Sequence, residues 1–295
     1  MVRDSVKGIF FGLLAAISYG MNPLFALPLY HEGFCPDAVL WYRYILAVVF
    51  LGTWLMWRHT EMKVGWQFAP LLTVNGLLMG CSSLFLFLSY QYMDAGVAST
   101  ILFVYPVMVT GMMALFFHER VTLGTVLSII LAFTGVLALY WDENGATLDS
   151  VGVLMVILSA LSYALYIVLV RVTRLRKLSA EVLTFYCLLP ILPVFLMRTG
   201  WGAALTWPTS ATAWWCVVLL ALVPTILSLS WTALAIRYVG ATPTAILGAL
   251  EPATAVFFGI TVFGEKLTIR LIFGLLFIII AVLIQVAKTQ KTATS

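Results

Sequence analysis

Apolar residues run through this chain in stretches of about twenty, the length a helix needs to cross a hydrocarbon core. The stretches recur from end to end, parted by short polar breaks. The first five predict helices over Val6–Tyr30, Pro36–Trp57, Trp66–Tyr90, Ala95–Phe117 and Thr122–Trp141. The next five predict helices over Ser150–Val170, Ala180–Met197, Ala213–Ile236, Ala241–Phe263 and Leu267–Ala287. The longest break, around Thr199–Thr212, contains Gly200, Gly202 and Pro208 and reads as a loop. The expected fold is therefore an all-α membrane protein with ten transmembrane helices. Arg3 and Lys7 precede the first run as in a signal peptide, but the run is long enough to span, and no small-x-small site follows a short apolar core. It reads as an uncleaved first helix.

The bases orient these helices. With the N-terminus inside, the inner segments hold Arg3, Lys7, Arg58, Lys63, Arg120, Arg171, Arg174, Arg176, Lys177, Arg237, Lys288 and Lys291. The outer segments hold only Arg198, Lys266 and Arg270, and Arg43 lies within a helix. Such an excess over short loops predicts both termini in the cytoplasm and an even helix count.

Composition agrees with a lipid-facing surface. Residues are 63% apolar and 9% charged, against about 25% charged in a soluble domain. The net charge of +4 is small and its bases are spread over loops, so no nucleic-acid partner is implied. Cys35, Cys81, Cys187 and Cys216 lie far apart without a CxxC pair, and read as packing residues. His31 and His118, with Asp142, Glu143 and Asp149, make no metal-ligand spacing. No HExxH, GxSxG or DDxxD sequence is present, so neither an enzyme nor a cofactor is expected. A Walker A sequence is also missing, which argues against direct use of ATP.

The two halves resemble each other, and the division falls between 1–145 and 146–295. A shift of 146 residues aligns Tyr92 with Tyr238, Ala95 with Ala241, Pro106 with Pro252, Phe117 with Phe263, Glu119 with Glu265 and Thr122 with Thr268. A shift of 144 aligns Gly8 with Gly152, Ser18 with Ser162 and Tyr19 with Tyr163. Five helices per half is an odd number, so the second copy enters the membrane from the opposite side. Inverted repeats of this kind are a recurring plan for secondary transporters.

A motif marks both halves. It reads Pro106…Phe117-His118-Glu119-Arg120-Val121-Thr122 and, again, Glu251-Pro252…Phe263-Gly264-Glu265-Lys266-Leu267-Thr268. With Arg43 in the second helix, this resembles the EamA-type branch of the drug/metabolite transporter superfamily. The resemblance covers nearly the whole chain. It implies a ten-helix inverted-repeat exporter of amino acids or related small metabolites, placed in the bacterial inner (plasma) membrane. His118 stands where such proteins often have Gly, as the second copy does at Gly264.

Candidate chemistry follows from polar groups at depth. Arg43 and Glu251 are the charges well inside predicted helices, and each is costly alone in lipid. Either they bind the charged ends of a zwitterion or they form a structural ion pair. Ser18, Tyr19 and Asn22 share one face of the first helix, and Ser162, Tyr163 and Tyr166 take the aligned places in the sixth. Hydroxyls and amides at depth need partners, from a wet cavity or from a neighbouring helix. Ser82 aligns with Ser228, and Trp231 follows it; Tyr105 aligns with Glu251. Pro106 and Pro252 are expected to kink their helices and to serve gating. Gly8–Gly12 and Gly76–Gly80 have the spacing of close helix contacts. Trp54, Trp57, Trp66, Trp141, Trp201 and Trp207 read as interfacial anchors, and Glu119 and Glu265 as helix-end residues. The expected partners are a small-molecule substrate and the bilayer, with a homodimer through helices five and ten left open. A channel, or a membrane-embedded enzyme, is the alternative reading. Proton antiport and facilitated exchange are both open.

Overall fold

A computed structural model describes residues 2–93, 95–140, 149–262 and 269–294. Trp141, Asp142, Glu143 and the second motif copy over 263–268, with Glu265, lie outside the described residues. The elements are α1 (Val2–Gly20), α2 (Asn22–His31), α3 (Pro36–Trp57), α4 (Ala69–Ser89), α5 (Ala95–Leu102), α6 (Tyr105–Phe117) and α7 (Leu123–Tyr140) in the first half. The second half has α8 (Ser150–Val172), α9 (Ala180–Leu188), α10 (Leu192–Arg198), α11 (Ala211–Ala221), α12 (Ser228–Val239), α13 (Ala241–Leu247), α14 (Leu250–Thr261) and α15 (Ile269–Thr294). Among the described residues there is no strand. Among the described residues, seven helical stretches are long and apolar enough to cross a membrane, and Tyr105–Phe117, Leu123–Ala138 and Ile272–Lys288 are shorter apolar helices.

Several expected helices are broken, and proline explains where. A proline has no N–H to give the carbonyl four residues back. The first predicted helix divides at Met21, just ahead of Pro23, so Asn22 opens α2 rather than continuing α1. The fourth divides between Leu102 and Tyr105, ahead of Pro106, and the ninth between Leu247 and Leu250, ahead of Pro252. The eighth widens into a π-helical segment over Leu222–Leu227, around Pro224. There Pro224 leaves the Leu220 carbonyl without its usual donor, and the Thr225 hydroxyl supplies one at 2.8 Å.

The halves interleave rather than sit side by side. Helix α1 packs on α12, and α8 on α4; α7 packs on α15, and α6 on α13. The aligned residues occupy matching places at these crossings. A Cβ on Gly8 would fall 2.6 Å from Val239 and 2.7 Å from Tyr238, and one on Gly152 would fall 2.7 Å from Met93 and 2.8 Å from Tyr92. Ser228 Oγ donates to the Ala15 carbonyl at 3.0 Å. In the matching place Ser159 Oγ donates to the Ser82 carbonyl at 2.6 Å. Reciprocal contacts of this kind relate the halves by an approximate two-fold axis.

Gly76 and Gly80 bring α4 against α9 and the turn after it. A Cβ on Gly76 would lie 2.2 Å from the Cys187 carbonyl oxygen, a backbone atom that cannot swing aside. Gly76→Ala is therefore expected to lower stability by about 1–3 kcal/mol, read as a drop in the melting temperature of detergent-purified protein. An unchanged melting temperature would mean that α4 and α9 do not touch here.

Outward faces are apolar. Leu115, Phe116, Leu123, Ile130, Ile269 and Phe273 each expose more than half of their surface. Trp57, Trp66, Trp201 and Trp207 are exposed at or beyond helix ends, and Trp54 lies 5.1 Å beneath the Arg58 guanidinium. His118 ends α6 with φ 53° and ψ 29°, the left-handed conformation that glycine adopts most easily. His118 therefore occupies a position whose backbone geometry favours glycine. At one end of the bundle Arg198 holds Asp37 through Nε at 2.6 Å and Nη2 at 3.1 Å. Ser210 Oγ donates to Glu32 at 2.7 Å and receives the Ala213 N–H that opens α11.

Candidate functional site

Three of the broken helices, the first, fourth and ninth, meet at one place. A cavity is lined by Tyr19, Gly20, Asn22 and Pro23 from the first break, Leu102, Phe103 and Tyr105 from the second, and Glu251 and Pro252 from the third. Tyr90 and Ser99 complete its polar wall. The space is narrow, and the centre of a water reaches only about 30 Å³ of it, room for about one to a few waters. A smaller cavity on the other side of Glu251 and Tyr105 is lined by Tyr163, Thr232, Thr244 and Gly248.

Aligned residues from the two halves touch each other here, as they must at a two-fold axis. Tyr105 Oη donates to Glu251 Oε1 at 3.3 Å. Tyr19 and Tyr163 stack with centroids 5.9 Å apart and planes 11° apart. Tyr105 meets Tyr163 edge-on at 4.9 Å, and Tyr166 stacks behind Tyr163 at 5.9 Å. Two glycines permit this closeness. A Cβ on Gly20 would lie 2.4 Å from the Glu251 carbonyl, and one on Gly248 only 1.7 Å from Tyr105 Oη.

Arg43 is wholly buried and forms no ion pair with Glu251. Its Nε donates to Thr225 Oγ1 at 2.6 Å and its Nη2 to the Pro224 carbonyl at 3.2 Å, both in the π-helical segment. Its guanidinium lies 5.9 Å from the Tyr19 ring, 5.5 Å from Tyr44 and 5.7 Å from Phe87. Nη1 has no partner. Asn22 is 3% exposed, and neither atom of its amide is bonded.

Of the residues singled out in the sequence, the structure brings Tyr19, Asn22, Tyr105, Tyr163 and Glu251 to the cavities, with Pro252 beside them. Arg43 lies one ring behind, and Tyr166 is packed behind Tyr163. Ser82 and Ser228 are spent on helix contacts. Ser162 bonds back to the Leu158 carbonyl of its own helix at 2.8 Å, beside the exposed Leu161. Ser18 and Trp231 line neither cavity, and Pro106 stands at the break without lining one. Sequence reasoning missed Ser99, Thr232, Thr244 and the pair Ser159 and Thr225. Pro224, ahead of Thr225 and within an apolar run, was the available signal for the π-helical segment.

Helices broken around a half-buried glutamate, at the seam of a duplicated bundle, are the architecture of a membrane transporter. The chain belongs to the EamA-like transporter family, whose model matches residues 6–141 and again 150–287. It is similar to the uncharacterized transporter YcbK of Bacillus subtilis (strain 168), 24% identical over 283 residues, covering 92% of this chain and 90% of that one. An uncharacterized transporter of Archaeoglobus fulgidus is 31% identical over 198 residues, covering 66% of this chain and 68% of its own. A solved crystal structure, 14% identical, superimposes with a TM-score of 0.81 over 94% of this chain and 97% of that one, a likeness of fold.

Proposed function

We propose that this protein is a secondary transporter that exports amino acids or related small polar metabolites across the bacterial inner membrane by alternating access. The observation that carries the reading is the convergence of three helix breaks on Glu251. Discontinuous helices leave backbone groups free where a polar solute must be held, and they give the halves points about which to rock.

On this reading the chain makes ten crossings as two inverted sets of five, divided near 145, with both termini in the cytoplasm. The Asp37–Arg198 and Glu32–Ser210 contacts support it, because they join the first-to-second and seventh-to-eighth connections at one end. The narrow cavity is then an occluded state, and Pro106 and Pro252 mark the hinges that open it. The partners are a small-molecule substrate and the bilayer. The outer faces of α7 and α15 are where a second copy would dock.

The test is counterflow in proteoliposomes, using a metabolite first found by thermal stabilisation of the purified protein. Saturable counterflow is expected, and Glu251→Gln is expected to lower it about tenfold or more while the protein still inserts. An order of magnitude corresponds to about 1.4 kcal/mol, within the range for losing one charged hydrogen-bonding group. Unsaturable flux, or full transport by Glu251→Gln, would remove the proposal.

A further inference from the structure

We infer that the cavity recognises its substrate by a protonated amine, held by Glu251 and Asn22, and does not read a carboxylate through Arg43. The inference rests on the transporter reading and narrows its substrate class. Among the described residues, Glu251 is the one carboxyl side chain lining either cavity, and no Lys, Arg or His lines them. The remaining polar wall is neutral: Tyr19, Asn22, Tyr90, Ser99 and Tyr105. Arg43 lies behind the Tyr19 ring and gives two of its nitrogens to the π-helical segment.

The geometry suits an ammonium in three ways. Glu251 lines both cavities and supplies the opposite charge when an ammonium lies beside it, and Tyr105 donates to its Oε1 at 3.3 Å. Asn22 lines the same space with both atoms of its amide buried and unbonded, so its oxygen can accept from an ammonium while its nitrogen donates to a neutral oxygen of the same solute. The Tyr19, Phe103 and Tyr105 rings line the wall, and ring faces attract cations. A carboxylate would instead meet Glu251 at close range with no cation between them. Helices α2, α6 and α14 begin at the cavity, and Glu251 stands in the first turn of α14, where a carboxylate is favoured.

Matched ligands decide the point. The purified wild-type protein is tested for thermal stabilisation and counterflow with phenylalanine, phenethylamine and N-acetylphenylalanine, and with leucine, isoamylamine and N-acetylleucine. In at least one series the free amine is expected to bind as well as the amino acid or better, and the N-acetylated acid at least tenfold more weakly. Asn22→Ala is expected to weaken amine binding by about fivefold, and Glu251→Gln to abolish it. If either variant fails to fold, the competition among wild-type ligands still decides. Saturable flux that requires the carboxylate, or that tolerates N-acetylation, overturns this inference and leaves the transporter reading standing. Absence of saturable flux for every ligand overturns both.

Discussion

Gly248→Ala is expected to cut counterflow by about ten- to a hundredfold although the change adds one methyl group. The added carbon would lie 1.7 Å from Tyr105 Oη, 3.0 Å from Tyr105 Cζ and 2.9 Å from the Ala245 carbonyl. Tyr105 cannot yield easily. It is 2% exposed, and its ring is held edge-on by Tyr163 at 4.9 Å and by Phe103 at 6.0 Å. The hydroxyl must therefore leave its place, and the bond to Glu251 goes with it. Overpacking a filled site costs about 1–3 kcal/mol, and a hydrogen bond to a charged group contributes about 1.5–3 kcal/mol. Tyr105→Phe removes the atom that clashes, so Gly248→Ala should cost less in that background. A double-mutant cycle measures the difference directly. Additive effects, or a wild-type rate for Gly248→Ala alone, would show that the hydroxyl does not occupy this notch.

Much of this arrangement was legible in the sequence, and the reason is the repeat. Aligning Tyr19 with Tyr163 and Tyr105 with Glu251 marks residues that lie on the two-fold axis, where equivalent positions must come close. The structure joins both pairs. The serines show the limit of such reasoning. A hydroxyl at depth needs a partner, but composition does not say whether that partner is water, a neighbouring helix or its own backbone. Ser82 and Ser228 find a neighbouring helix, and Ser162 finds its own. The helix breaks were legible in part. Pro106 and Pro252 stand out because they are matched, whereas Pro23 and Pro224 have no partner in the other half and are hidden in apolar runs. What a proline does to a helix also depends on which group satisfies the freed carbonyl, and that is tertiary information. Thr225 does so for Leu220 because the chain can widen by one residue there.

Arg43 provides the sharpest separation between holding the bundle and binding the solute. At the matching crossing in the other half, Asn75 Nδ2 approaches Cys187 Sγ at 3.6 Å, a weak contact between neutral groups. Arg43 replaces it with a forked attachment from α3 to the π-helical segment, so one crossing is held by a charged fork and the other by close packing at Gly76. Thr225 then serves two partners at once, accepting from Arg43 and donating to Leu220. Arg43→Met is expected to destabilise the protein by about 1–3 kcal/mol for each acceptor left without a donor. Thr225→Val should cost more, because it leaves a buried guanidinium nitrogen and the Leu220 carbonyl unpaired together. Combining the two should cost less than their sum, since removing the charge relieves part of what Thr225→Val exposes. Arg43→Lys keeps the charge but loses the planar fork that reaches both Thr225 and Pro224, so it should not restore stability. Melting temperatures of the four variants in detergent, measured without ligand, make the comparison. If Arg43→Lys melts like the wild type and loses only transport, Arg43 acts on the solute and the attachment to the π-helical segment is incidental.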